Sequence, residues 1–142
     1  MKKRIIAFIM TVCMLMPFAK AVDIIPYRAS DYLVGYGVTL DAIGNGEMRV
    51  TYSVDGKGTM EQIGVDAIYI DYYNNGTWKP YDTLLGVKNP DFYAYDALGH
   101  FGYAYFDGEP GTKYRVTVKV YARGYDGGFD NGYVTSLEEK CA

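Results

Sequence analysis

Apolar and polar residues alternate without a break over Tyr114–Arg123. Tyr114, Val116, Val118, Val120 and Ala122 fall on one side, and Arg115, Thr117, Lys119, Tyr121 and Arg123 on the other. A period of two predicts a strand with one face in a core and one in water. The same period recurs upstream. Tyr32, Val34, Tyr36, Val38 and Leu40 alternate with Leu33, Gly35, Gly37 and Thr39 in a first strand, where the glycines predict a bend or a close backbone approach. Met48, Val50, Tyr52 and Val54 mark a second strand over Glu47–Asp55. A third, within Ile63–Tyr73, is apolar on both faces around Ala67-Ile68-Tyr69-Ile70, which predicts a central place in its sheet. Over Leu98–Phe106, Phe101, Tyr103 and Tyr105 alternate with His100, Gly102 and Ala104. These runs are the expected packing partners of Tyr114–Arg123.

Turn residues separate the runs. Gly44-Asn45-Gly46 and Asp55-Gly56-Lys57-Gly58 are predicted turns. Asn75-Gly76 predicts a tight hairpin, because both residues accept positive φ. The strand that returns from it, Thr77–Thr83, contains Pro80, which has no N–H donor and so predicts an edge or an irregular strand. Leu84–Asp96 reads as loop, with a short extra strand at Phe92–Tyr95. Asp107–Thr112 reads as a turn cluster, Gly124–Gly132 as a loop, and Tyr133–Leu137 as a last short strand. Ser136–Ala142 reads as a polar tail expected to fray. No apolar i, i+3, i+4, i+7 run follows residue 21, so the expectation is all-β, a sandwich or barrel of about seven strands.

The first residues change the picture of where the protein works. Lys2, Lys3 and Arg4 precede an apolar run, Ile5–Phe18, and Ala19-Lys20-Ala21 has small-x-small form. These are the three parts of a secretory signal peptide, expected at 1–21 with cleavage after Ala21. The run is too short to cross about 30 Å of hydrocarbon as a helix. The expected organisation is therefore a signal at 1–21, a lead-in at 22–30, a sandwich domain at 31–136 and a polar tail at 137–142. Cleavage removes four of 14 basic residues and none of the 17 acidic ones, which moves the net charge from −3 to −7. An acidic exported domain is not expected to bind nucleic acid or to stay in a membrane. Only Cys141 remains, as an intermolecular bridge or a solvated tail thiol, so packing alone must hold the fold.

The run from Phe101 through Ala122 resembles the late strands of fibronectin type III and other immunoglobulin-like domains. It carries an aromatic alternating strand, the turn Glu109-Pro110-Gly111-Thr112, then the Tyr114–Ala122 alternation. The resemblance implies a single antiparallel immunoglobulin-like sandwich. It also implies that Tyr114 makes a tyrosine corner, its hydroxyl bonding back to the preceding loop. The disulfide of true immunoglobulin domains has no cysteines here. The early tryptophan of fibronectin domains is missing too, and Tyr52 stands in its strand. The chain as a whole resembles small uncharacterised secreted proteins of Gram-positive bacteria, which implies export and no activity.

Candidate chemistry is sparse. His100 is the only histidine, expected to face outward or to lie beside glycines, and no nucleophile is placed to partner it. Asp66 with Asp71, or Asp91 with Asp96, are the carboxylate pairs that glycoside hydrolysis would need, and solvated acids are the plainer reading. Asp126–Gly132 offers oxygen ligands for calcium, or is a plain surface loop. Sixteen tyrosines are the compositional oddity. Tyr72, Tyr73, Trp78 and Tyr81 form the first candidate binding surface, since exposed aromatic rings stack on sugars or anchor proteins. The expectation is a secreted or cell-surface protein without enzymatic activity, catalytic residues, metal or cofactor. It binds an extracellular protein or, alternatively, a glycan; a small hydrolase with paired acids is the third reading.

Overall fold

The computed structural model describes residues 30–142. The signal peptide expected at 1–21 and the lead-in up to residue 29 lie outside the described residues. Seven strands follow in order: β1 Leu33–Gly44, β2 Glu47–Asn74, β3 Thr77–Leu85, β4 Tyr93–Asp107, β5 Lys113–Arg123, β6 Phe129–Thr135 and β7 Glu139–Lys140. Two single 3-10 turns, Gly86–Lys88 and Pro90–Phe92, join β3 to β4. All strand pairs are antiparallel and belong to one curled sheet.

β2 is 28 residues long and replaces two predicted strands. The expected turn at Asp55–Gly58 does not reverse the chain. Residues between Asp55 and Met60 instead bulge against β4, where Asp55 pairs with Gly99 and Met60 with Ala97. The bulge bends the strand and lets it continue. Gly56 is required at the bend: a Cβ there would lie 2.9 Å from the Met60 side chain and 3.2 Å from the Leu98 carbonyl oxygen. Before the bend, β1 and β4 flank β2. After it, β5 lies along one side and β4 as far as Gly64, then β3 from Ala67, along the other, so the stretch predicted to be central is central.

The inner residues of both halves form one core. Met48, Val50, Tyr52 and Val54 of β2 pack in the same cluster as Ile63, Val65, Ile68 and Ile70 beyond the bend. Tyr114, Val116, Val118, Val120 and Ala122 of β5 have no exposed surface at all, as their alternation predicts. The Tyr114 hydroxyl accepts a hydrogen bond from the Glu109 N–H at 2.8 Å, closing the turn before β5. Its ring sits edge-on to Tyr81 and Phe106 at 5.0 and 5.4 Å between centroids.

The turns at Asn45-Gly46 and Asn75-Gly76 are as read. Asn45 and Gly46 have φ of 56° and 79°, and Asn75 and Gly76 have 49° and 84°. These pairs of positive φ suit type I′ hairpins. β3 is an edge strand and slips register around Pro80, with Ile70 opposite Asp82 and Asp71 opposite Pro80.

Three further expectations need correction. β4 starts at Tyr93 and runs on through Asp96, so the short strand and the Leu98–Phe106 run are one element. β6 starts at Phe129 inside the predicted loop; Gly132 serves a close approach, since a Cβ there would lie 2.5 Å from the Tyr36 ring. The tail is docked, not frayed. β7 pairs with Lys113 and Tyr114, the Cys141 N–H bonds Thr112, and the Cys141 carbonyl accepts from Gly111. Cys141 is 3% exposed and lies in the core, where burial raises its thiol pKa, so it is no solvated tail thiol.

Tyr52 gives a test of this core. It is 1% exposed, and burial foremost, with the Asp91 charge second, pushes its pKa from 10.0 up to about 12. The folded state thus favours the neutral phenol. The contribution is whole below pH 10 and is lost as pH rises through about 12. Its size is at most ~3 kcal/mol. The wild type is expected to lose urea resistance between pH 10 and 12 more steeply than Tyr52→Phe, measured by unfolding at each pH.

Candidate functional site

The interior decides what β4 shows to solvent. Tyr52 lies opposite Gly102, and a Cβ on Gly102 would fall 2.5 Å from the Tyr52 hydroxyl. The inner side of β4 must therefore be small directly opposite that ring, where Gly102 lies; His100 and Ala104 flank it on the same side. The aromatic residues between them point outward. Phe101 is 60% exposed, and Tyr103 and Tyr105 are 50% exposed each. Phe101 and Tyr103 meet edge to face at 5.4 Å, and the Arg49 guanidinium lies 5.6 Å from the centroid of the Tyr103 ring. Arg49 is also within 3.8 Å of Asp41 on β1.

β4 pairs with β2 along one side only. Among the described residues no strand pairs with its other side. That side opens at Tyr103, Ala104 and Tyr105 on a shallow depression of about 340 Å³, whose far wall is Leu84 and Lys88–Phe92. The result is a sheet edge with unpaired backbone groups beside a row of exposed rings. Such an edge is a template for another strand.

The residues singled out from sequence are placed elsewhere. His100 faces inward, not outward. Its Nε2 is 2.8 Å from the Asp91 carbonyl oxygen and 3.5 Å from the Tyr52 hydroxyl, and its ring is tilted against Tyr52. It ties β4 to the turn before it. The carboxylates have separate engagements. Asp66 accepts a hydrogen bond from the Tyr93 hydroxyl at 2.7 Å and, with the Asn131 amide turned to satisfy both of its ends, from Asn131 at 3.0 Å. Burial foremost, then this bond, raises the Tyr93 pKa. Asp71 lies 3.6 Å from Arg115, and Asp96 accepts from the Tyr125 hydroxyl. Among the described residues no group of three or more His, Cys, Asp or Glu side chains is arranged to hold a metal ion.

The Asp126–Gly132 segment clasps the start of β1. Asp126 accepts from the Tyr32 hydroxyl at 2.8 and 2.9 Å and from the Gly128 N–H at 3.0 Å. These bonds, the tyrosine's first, hold its carboxyl below its ordinary pKa, while the same bond raises that of Tyr32. Asp130 accepts from the Ser30 hydroxyl and, at 3.1 Å, from the Tyr32 N–H. Both carboxylate oxygens of Asp126 and one of Asp130 are thus engaged by donors of the chain itself.

The expected aromatic cluster is split by the sheet. Tyr73 and Trp78 share the outer face, 5.3 Å apart, and the Arg115 guanidinium covers the Trp78 ring at 4.3 Å. Tyr72 and Tyr81 pack edge to face on the core side, where the Tyr81 hydroxyl donates to the Asp107 carbonyl at 2.7 Å. The β4 face was visible in the sequence only as Phe-Gly-Tyr-Ala-Tyr, small residues between large rings. No protein-family model matches the chain, and no curated protein is similar to it.

The clasp is testable. Asp130→Ala removes one of the two acceptors of the Tyr32 N–H, the other being the Ser30 hydroxyl at 3.2 Å, which Asp130 itself holds. Hydrogen exchange is expected to quicken about tenfold at Tyr32 while β5 amides keep their rates, because the opening is local.

Proposed function

We propose that the protein is an exported, non-enzymatic immunoglobulin-like module of the fibronectin type III kind, which binds protein through the free edge and aromatic face of β4. The pairing order supports the fold reading. If β2 supplies two successive strands, β1, early β2 and β4 correspond to strands A, B and E of an immunoglobulin-like sandwich. Late β2, β5 and β6 then correspond to C, F and G. The bond from Glu109 to Tyr114 at the start of β5 has the form of a tyrosine corner. The basic head, apolar run and Ala19-Lys20-Ala21 support export to the cell surface or beyond. The structural engagement of His100, Asp66, Asp71 and Asp96 supports a role without catalysis.

One observation carries the binding reading. A sheet edge without a strand partner borders three rings that are each at least half exposed. Extended partners add to such edges through main-chain hydrogen bonds, and side-chain contacts select among them. Aromatic rings supply contact area at low entropic cost. In a pull-down from medium and cell envelope of the producing organism, the mature chain is expected to capture a protein that Tyr103→Lys captures at least tenfold less. Equal capture by the variant, or none by either, overturns the reading.

A second reading, glycan binding, has its own observation. Tyr95, Gln62, Arg123 and Phe129 form one rung across β4, β2, β5 and β6. Tyr95 and Phe129 are 62% and 57% exposed and are flanked by hydrogen-bonding side chains. On this reading, soluble polysaccharide in a native gel slows the wild type and not Phe129→Ala. Equal mobility of the two rules it out.

A further inference from the structure

We infer that the cavity where β3 meets the turn before β5 binds a methylated ammonium group, with tyrosine rings around the cation and one carboxylate to balance it. The site is separate from the β4 edge. The cavity has a volume of about 410 Å³ and is lined by Tyr72, Pro80, Tyr81, Glu109, Thr112 and Tyr114. That volume falls within the range of small-ligand pockets, about 300–1,000 Å³. The Tyr81 ring stands at 71° to Tyr72 and at 74° to Tyr114, with centroids 6.0 and 5.0 Å away. Tyr81 is 39% exposed and Tyr72 is half-buried, and Tyr114, with no exposed surface, closes the back. The rings are held in place. The Tyr81 hydroxyl donates to the Asp107 carbonyl at 2.7 Å, and the Tyr114 hydroxyl accepts from the Glu109 N–H at 2.8 Å. With both hydroxyls engaged by backbone, the cavity offers aromatic surface more than hydrogen-bonding groups.

Aromatic rings attract cations over their faces, most strongly where water is excluded. Elsewhere the chain covers such rings itself: Lys113 lies over Tyr73, Arg115 over Trp78 and Arg49 over Tyr103. Among the described residues no Lys or Arg lines this cavity or lies over its three rings. Lys79, the register partner of Tyr72, is exposed and stays outside it. The one charged lining residue is Glu109. Burial foremost, then Tyr114, Glu109 and Asp107, raises the Tyr81 pKa. The negative charges of Glu109 and Asp107 that oppose a phenolate at Tyr81 also attract a cation. A methylated ammonium suits such a place. Its methyl groups pack on rings, and it has no N–H that must find an acceptor.

Choline titrated into the mature chain, with amide shifts followed by NMR, is expected to bind with a Kd of about 1 mM and to move Tyr72, Tyr81, Glu109 and Thr112. Its neutral isostere, in which a tert-butyl group replaces the trimethylammonium, is expected to bind at least about tenfold more weakly. Glu109→Gln leaves the backbone bond to Tyr114 in place and is expected to weaken choline about threefold. Tyr81→Leu removes an exposed wall and is expected to weaken it about tenfold. Dispersed amide spectra check that both variants stay folded. Two sources carry this chemistry, so phosphocholine and a peptide bearing trimethyllysine are titrated in parallel. Tighter binding of the first identifies a lipid or polymer headgroup, of the second a protein side chain, and either supports the site. No shift at those amides in about 50 mM choline overturns the inference. So does equal affinity for the neutral isostere, or choline binding unaltered in both variants.

Discussion

A straight strand of 28 residues would run ~90 Å, several times the radius of a domain this size. β2 is that long, so the fold depends on its bending without breaking. The bulge between Asp55 and Met60 supplies the bend, and Gly56 supplies the room. Because the chain does not reverse, the alternation of β2 buries one set of residues before the bend and another after it. Both sets join one core. β1 is positioned by the first half, β5 and β3 by the second, and β4 by both. No disulfide crosses this arrangement, and the single cysteine among the described residues is consumed by packing.

The core in turn sets the surface. Tyr52 and Tyr114 are large rings with almost no exposed area, and β4 must lie across them. Space then requires small residues on its inner side near Tyr52. Phe101, Tyr103 and Tyr105 take the outer face, while Phe106, farther along the strand, turns inward against Tyr114. The exposed aromatic row is thus the outer counterpart of a filled interior, and its spacing of two residues is inherited from the strand. The same logic explains the glycine of β6, where the Tyr36 ring occupies the space that a side chain on Gly132 would need.

Much of this was legible in the sequence. Strict alternation over Tyr114–Arg123 specified the most buried strand, because only a two-sided environment sustains five consecutive alternations. Asn75-Gly76 specified a hairpin through positive φ, and Pro80 specified an edge through its missing donor. What was not legible depends on partners. Asp55-Gly56-Lys57-Gly58 has the composition of a turn, and only the register against β4 distinguishes a turn from a bulge. The docking of the tail depends on backbone groups of Gly46, Gly111 and Thr112, which carry no signature at residues 137–142. The aromatic alternation of β4 was visible, but its direction was fixed by the Tyr52 ring, in a strand far upstream. Tyr72, Tyr73, Trp78 and Tyr81 are close in sequence, yet a sheet separates them, and Arg115 covers the face of the tryptophan.

The contrast among the sheet edges bears on why β4 is bare. All the edges belong to one acidic chain and meet the same demands of solubility and folding. β3 carries Lys79, Pro80 and Asp82 and β6 carries Asp130, whereas β1 over Leu33–Leu40 and β4 over Gly99–Phe106 carry neither charge nor proline. A bare edge with unpaired N–H and C=O groups and a neutral aromatic row is stable in isolation only because water satisfies the backbone. Replacing that water by a strand exchanges one set of hydrogen bonds for another at little net gain. The gain must come from the rings, which lose exposed apolar area when a neighbour lies beside them. Backbone pairing then sets the geometry of the contact and the aromatic row sets its strength.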